Sequence, residues 1–401
     1  MSLAHKLWRM IPHGLRRSVF ETTTLITAPV AGDAPQNLPA DVQIIVAGVL
    51  GAPTGLGEAA RGTVRALMAQ GRDVRQIDLT DAFRQERIVA LPNLPAPTAG
   101  PGVIIVFANP PMSSYALKCI GAEMLAGKLR IGSWVWEYAT VPARWTRHAV
   151  RYHRLVAPTT LVERAIHATT GRKAASLPYH VAAVMAEPEV RANPQAFRIG
   201  FVGDLVAAAG RKNPAAVVDA VARAFGDAAD VELVMILRGA RDDHPLIRDL
   251  MARARDLEVN LSVDGRLLDT AGHWARLKTL DAFCSLHRAE GFGLNVAEAM
   301  AAGIPTIATQ CLAVADYLDA DVGYPVAWTS MKAAALIDDP SPGDWAEPDI
   351  DMAAAALRDI RANPDGARAK AIAAIARIDA LYSARAVSAA LDAVIKPHIG
   401  S

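Results

Sequence analysis

Short aliphatic runs recur along the chain, each bounded by glycine or proline. They are Val42–Gly48, Val103–Phe107, Arg198–Gly203, Val231–Leu237, Asp281–Leu286 and Ile304–Ala308. Apolar residues in them do not alternate with polar ones, which predicts parallel strands buried on both faces. Helical spacing lies between the runs. Glu58–Gln70 carries Val64, Leu67 and Met68 and stops at Gly71, and Pro214–Phe225 carries Val217, Val218, Val221 and Phe225. Alternating strand and helix predicts a doubly wound α/β architecture. The pattern starts twice, near residue 42 and again near residue 198, and the polar, proline-bearing stretch Ala186–Pro194 between them reads as a linker. Two facing Rossmann-like domains with a cleft between them are therefore expected. Residues 1–190 form the first, 191–380 the second, and 381–401 a C-terminal helix that can pack back on the first. Residues 340–349 read as a loop, and the alanine-rich chain from Met352 onward reads as helical.

Composition narrows the class. Of 401 residues, 52% are hydrophobic and 21% charged, so there is enough apolar surface for two to three domains and a disordered chain is excluded. Basic residues number 42 against 41 acidic, which argues against a general nucleic-acid binder. Cys119, Cys284 and Cys311 are too scattered for a disulfide framework or a zinc cluster and fit a reducing cytosol. The pairs Asp242-Asp243 and Asp338-Asp339 lack D-x-D spacing, and no metal site is expected. No run approaches the roughly 18 apolar residues of a membrane span. Lys6, Arg9, Arg16 and Arg17 interrupt the apolar residues near the start, so no secretory signal is read there. The stretch from Leu7 to Phe20 fits a peripheral helix packed on the protein, or a basic amphipathic helix on an anionic membrane. The expected location is the cytoplasm, with peripheral contact at the inner face of the membrane as the second option.

Three segments carry candidate chemistry. In Glu290-Gly291-Phe292-Gly293-Leu294-Asn295, following the Asp281–Leu286 strand, two glycines let backbone N–H groups approach a ligand, and the helix expected from Asn295 to Gly303 points its positive end at the same loop. Glu290 can accept hydrogen bonds from sugar hydroxyls. Glu298, one turn inside the helix, is near enough for ribose hydroxyls, although Asn295 and Glu298 also have the spacing of a capping box. In Gly210-Arg211-Lys212-Asn213-Pro214, Asn213 suits an N-cap and Pro214 a first helical position. Arg211 and Lys212 are then either a solvated basic pair or two cations able to neutralise a diphosphate. In Gly51–Gly62, between the first strand and its helix, the G-x-G-x-x-G spacing of a dinucleotide-binding dehydrogenase is missing. This turn suits phosphate approach from the opposite wall.

The string from Glu290 to Pro305, with seven residues between Glu290 and Glu298, resembles the paired-glutamate signature of retaining glycosyltransferase family 4, whose fold is GT-B. The R-K-N-P form at 211–214 resembles that family's diphosphate clamp, and Ser133-Trp134-Val135-Trp136-Glu137 resembles the W-x-W-E stretch of a bacterial polysaccharide branch. The resemblance implies a metal-independent transferase that moves a sugar from a nucleotide-diphosphate sugar to a glycan or lipid-linked acceptor with retention, needing no cofactor beyond its donor substrate. It implies Arg211, Lys212 and Glu290 as catalytic groups. Gly57, Gly291, Phe292, Gly293, Leu294, Asn295 and Glu298 would bind the donor. Where the family often has a histidine meeting the donor sugar, this chain has Ala108-Asn109-Pro110. Asn109, Trp136 and Glu137 are the acceptor-side candidates, with a buried structural tryptophan as the other reading of Trp136. His287 fits a core histidine or a ligand. A nucleotide-sugar epimerase and a non-catalytic partner of a transferase are the alternative functions.

Overall fold

The computed structural model describes residues 13–183, 189–191, 193, 195–204, 208–333 and 343–400. The first domain is a six-stranded sheet of β1 (Ile44–Gly48), β2 (Val74–Asp78), β3 (Gly102–Phe107), β4 (Lys128–Ser133), β5 (Arg154–Ala157) and β6 (Ala174–Ser176), in the order β2-β1-β3-β4-β5-β6. The second holds β7 (Phe197–Asp204), β8 (Val231–Arg238), β9 (Leu261–Asp264), β10 (Ala282–Ser285), β11 (Thr306–Thr309) and β12 (Tyr324–Val326), in the order β12-β11-β10-β7-β8-β9. Every pairing in both sheets is parallel. Every residue of β1 and β3 is buried, because helices cover both sheet faces.

Strand order fixes where a ligand can sit. The chain reverses direction across the sheet between β1 and β3, and again between β7 and β10. Crevices outside the carboxyl ends of strands at such points are the usual ligand sites of open α/β sheets. Both crevices open onto one cleft.

Several sequence expectations need correction. The stretch 340–349 is not all loop. Asp344–Pro348 forms strand β14, paired antiparallel with β13 (Trp328–Lys332), while 340–342 lie outside the described residues. Proline at the end of an edge strand masked it, and the strand is held by Trp345, which is buried against the first domain with its indole N–H donating to Tyr138 Oη at 3.1 Å. β4 also escaped the apolar pattern, because its Lys128 and Arg130 are buried. The Lys128 ammonium reaches the carbonyls of Thr98 and Gly100, and Arg130 Nη1 those of Pro29 and Val30, so backbone carbonyls rather than carboxylates receive both cations.

Of the expected N-terminal helix, His13–Thr27 is helical and residues 7–12 lie outside the described residues. Arg151 donates to the carbonyls of Leu25 and Ala28, and Glu21 lies 3.5 Å from the buried His148, so this helix is docked on the first domain. Most of the expected linker is outside the described residues; within it, Arg191 pairs with Asp281 at 2.9 Å. The C-terminal helix Ala384–Ile395 packs on Gly55–Ala69 of the first domain, where Arg72 and Asp392 pair at 2.6 Å. Among the described residues no helix is long and apolar enough to cross a membrane.

Candidate active site

The cleft holds a cavity of about 370 Å³, a size that suits a small-molecule ligand. Its first-domain wall is the turn after β1, with Thr54, Gly55, Leu56 and Glu58, together with Asn109, Glu137 and Tyr179. Its second-domain wall carries Arg211, Lys212, Glu290 to Asn295, His273 and Glu298.

Arg211 and Lys212 belong to a single wide turn, Ala208–Lys212, beyond the carboxyl end of β7. The turn is clamped from outside. Arg288 donates its backbone N–H to Arg211 O at 2.7 Å and a guanidinium N–H to Gly210 O at 3.1 Å, while Glu347 of the hairpin holds the same guanidinium at 2.6 Å. Asn213 occupies the N-cap position of Pro214–Phe225, but its side chain makes no cap bond. Its backbone is left-handed (φ 53°), a conformation asparagine tolerates, and it turns the chain from the clamp into the helix.

Both cations converge on Glu290. Lys212 Nζ bonds Glu290 Oε1, and Arg211 Nη1 lies 3.1 Å from Glu290 Oε2. Arg211 Nη2 also reaches Glu137 of the first domain at 3.4 Å. Burial alone would push the Glu290 carboxyl up; the charges of Lys212 and Arg211 overcome it and hold the pKa down to about 2. Burial likewise disfavours the Arg211 charge, and Glu290 with Glu137 more than restores it. The result is a buried, charge-rich cluster in which both cations share Glu290 and Arg211 also reaches Glu137.

Gly291 and the domain interface explain each other. A Cβ there would lie 2.6 Å from Trp136 O and 2.7 Å from Val135 Cγ2, and Thr159 Oγ1 donates to Gly291 O at 3.0 Å. Phe292 is buried between Tyr179, Tyr317 and Tyr382. The helix begins at Leu294 rather than Asn295, with Gly293 at its N-cap. The capping-box reading of Asn295 and Glu298 fails: Asn295 donates to Val202 O at 3.1 Å, and Glu298 Oε2 lies 3.0 Å from His273 Nε2.

Glu58, at the start of helix Gly55–Ala69, accepts from Thr270 of the second domain at 3.3 Å and pairs with Arg61 and Arg65. Arg61 also ties the carbonyls of Leu50 and Ala52, which shapes the turn. Gly57 does not line the cavity; a Cβ there would meet Ala52 O at 2.6 Å and Val49 O at 2.7 Å, so glycine is required by the turn itself. Gly55 and Leu56 take the place at the cavity that Gly57 was expected to hold.

On the acceptor side, Asn109 lines the cavity, yet its amide is used by the backbone of Val135, donating at 2.7 Å and accepting at 3.0 Å. It orients the segment that carries Glu137. Trp136 is not at the cavity. Its ring packs edge-on against Trp145, and its N–H donates to Thr140 O at 2.8 Å. His287 is a core histidine, wholly buried beside Ser285 and pushed down by burial to about 4. His273 and Tyr179 reach the cavity from segments without a local motif, and Glu58 stands in the Gly51–Gly62 turn, where the sequence reading singles out Gly57 instead.

The His273–Glu298 pair gives a pH test. Burial opposes the imidazolium, but Glu298 holds its pKa above 6.5. A group whose folded pKa is raised adds stability that is complete below its unfolded value and disappears as pH rises through the folded value. The Tm gap between the protein and its His273→Gln variant is therefore widest below the ordinary imidazole value of 6.5 and shrinks as pH rises through the raised folded value. A gap constant across that range would mean that the pair is not charged in the fold.

Two parallel six-stranded sheets whose switch points share one cleft define the GT-B fold. It recurs in solved glycosyltransferase structures at low sequence identity. Anabaena HepE in complex with UDP and glucose superposes with a TM-score of 0.61 at 13% identity over 88% of this chain and 99% of that one. A glycosyltransferase from Rickettsia africae ESF-5 gives 0.60 at 13% over 90% and 99%. Sucrose-phosphate synthase from Thermosynechococcus elongatus gives 0.58 at 15% over 88% and 98%. Residues 196–356 match the family model described as glycosyl transferases group 1, a span that contains Arg211, Lys212, Glu290 and Glu298. No curated protein matches the chain by sequence.

Proposed function

We propose that this protein transfers a sugar from a nucleotide-diphosphate sugar to a glycan or lipid-linked acceptor, with retention of configuration and without a metal. The observation that carries the reading is the convergence of Arg211, Lys212 and Glu290 at the switch-point cleft, within a span that matches a glycosyltransferase family. Supporting it, HepE was solved with UDP and with UDP-glucose.

In this reading the diphosphate lies between Arg211 and Lys212, whose charge takes the place of a metal. Glu290 accepts from hydroxyls of the transferred sugar, and the start of helix Leu294–Ala301 faces the donor with unpaired backbone N–H groups. Glu298 holds the ribose, exchanging its bond to His273. Glu137 faces the acceptor from the first domain. The anomeric carbon–phosphate oxygen bond breaks with its electrons going to the diphosphate, and the acceptor hydroxyl attacks the same face. Its proton passes to the departing phosphate oxygen, so no separate base is needed. Positioning and charge stabilisation supply the rate.

A thermal-shift screen of uridine, guanosine and thymidine diphosphate sugars tests the donor class, since a ligand bound only by the native state raises Tm. At least one nucleotide is expected to shift it. No shift with any of them would overturn the reading, and a transfer product of inverted configuration would overturn retention. Epimerised donor formed without any acceptor would point to an epimerase instead.

A further inference from the structure

Among the described residues, one buried polar side chain both lines the cleft and lacks a hydrogen-bond partner. It is Tyr179, 4% exposed, with its hydroxyl unpaired. A buried hydroxyl without a partner is costly to keep, so such a group calls for a ligand. Its ring is fixed from both domains. It packs on Phe107 at the end of β3, 6.3 Å between centroids, and on Phe292 of the second domain, 5.0 Å between centroids. The hydroxyl therefore has little freedom to turn toward another partner.

Its surroundings say what that ligand is. Burial disfavours ionisation of the phenol, and the charge of Glu137 adds to the effect, so the hydroxyl stays a neutral donor. One guanidinium, that of Arg211, touches both Glu137 and Glu290. The two carboxylates thus face each other across no more than the span of that group, and Tyr179 stands beside the first of them. Both carboxylates already hold the cations, so what the phenol can add is a donor to a neutral hydroxyl, and a polyol beside this pair can donate to the carboxylates and accept from the phenol.

We propose that Tyr179 is a specificity-determining residue that donates a hydrogen bond to a hydroxyl oxygen of the transferred sugar, opposite Glu290. The inference deepens the transferase reading and rests on it. It places one sugar-reading group on the first domain, so the sugar is read from both walls and only when the cleft is closed as it is here.

The test is calorimetric titration of the protein and its Tyr179→Phe variant with nucleotide sugars and with the corresponding nucleoside diphosphates. Phenylalanine keeps the ring contacts and removes only the hydroxyl. Affinity for the nucleotide sugar is expected to fall about tenfold, the scale of one hydrogen bond of about 1.4 kcal/mol, while that for the bare nucleoside diphosphate is unchanged. Retained diphosphate binding also shows that the variant is folded. Equal affinity of both proteins for the nucleotide sugar would overturn the proposal and leave the transferase reading standing. A parallel loss for sugar and bare diphosphate would overturn it too, as the mark of a merely structural residue. Failure of the unmodified protein to bind any member of the panel would instead remove the reading beneath it.

Discussion

Lys212→Ala is expected to lower turnover by about 10²–10³, the scale for losing one preorganised electrostatic donor. The Lys212 side chain is 13% exposed and its ammonium bonds Glu290, so it acts in a poorly hydrated setting where charge is worth more than in water. Its partner is not stranded by the change, because Arg211 still lies 3.1 Å from Glu290. The fold should therefore survive and the loss should appear in kcat. Donor turnover measured at saturating substrate, with Tm as the folding control, checks this. Near-normal turnover in a folded Lys212→Ala protein would remove the lysine from the leaving-group role. Lys212→Arg separates charge from shape: an arginine restores the charge but not the compact ammonium, so only partial recovery is expected.

Glu290→Gln should produce opposite effects on two ligands. The carboxylate, held to about 2, is ionised across the working pH range. Replacing it by an amide frees Lys212 and half of Arg211 from an acidic competitor. Bare nucleoside diphosphate should then bind about tenfold more tightly, near the low end of the coupling measured for close charge pairs. Turnover should fall by about 10–100-fold, because a charge-assisted hydrogen bond to the sugar is worth about 1.5–3 kcal/mol. Unliganded stability should fall as well, since two cations lose a buried partner. Calorimetry with the diphosphate and initial rates with the donor read the two effects separately. Unchanged diphosphate affinity would show that Glu290 does not compete for the cations. The acid limb of the rate profile should not originate in Glu290, whose proton is lost far below neutrality.

The doubly wound fold was legible because its inner strands are buried on both faces and so read as plain aliphatic runs, as in Ile44–Gly48 and Gly102–Phe107. The strands that escaped notice break that rule for physical reasons. Val74–Asp78 is an edge strand with a mostly half-buried polar set, and Lys128–Ser133 buries two cations against backbone carbonyls. In the site, Arg211, Lys212, Glu290 and Glu298 were legible because each sits in a local string whose spacing has a meaning. Trp136 carries two readings in the sequence because an aromatic near a cleft and one packed behind it read the same there, and its packing on Trp145 matches the second. Gly57 was misplaced because glycine can serve a ligand or a backbone crossing, and only coordinates show the carbonyls of Val49 and Ala52 in the way. His273 and Tyr179 join the site through contacts between distant segments, which no local pattern records.

The central claim is that the second domain grips a diphosphate with Arg211 and Lys212. A crystal structure of the protein with the nucleoside diphosphate chosen by the thermal-shift screen tests it most directly. The account predicts phosphate oxygens within hydrogen-bond distance of both side chains, with the Lys212 ammonium drawn away from Glu290. Phosphates bound elsewhere in the cleft, with the three-residue cluster unchanged, would contradict it.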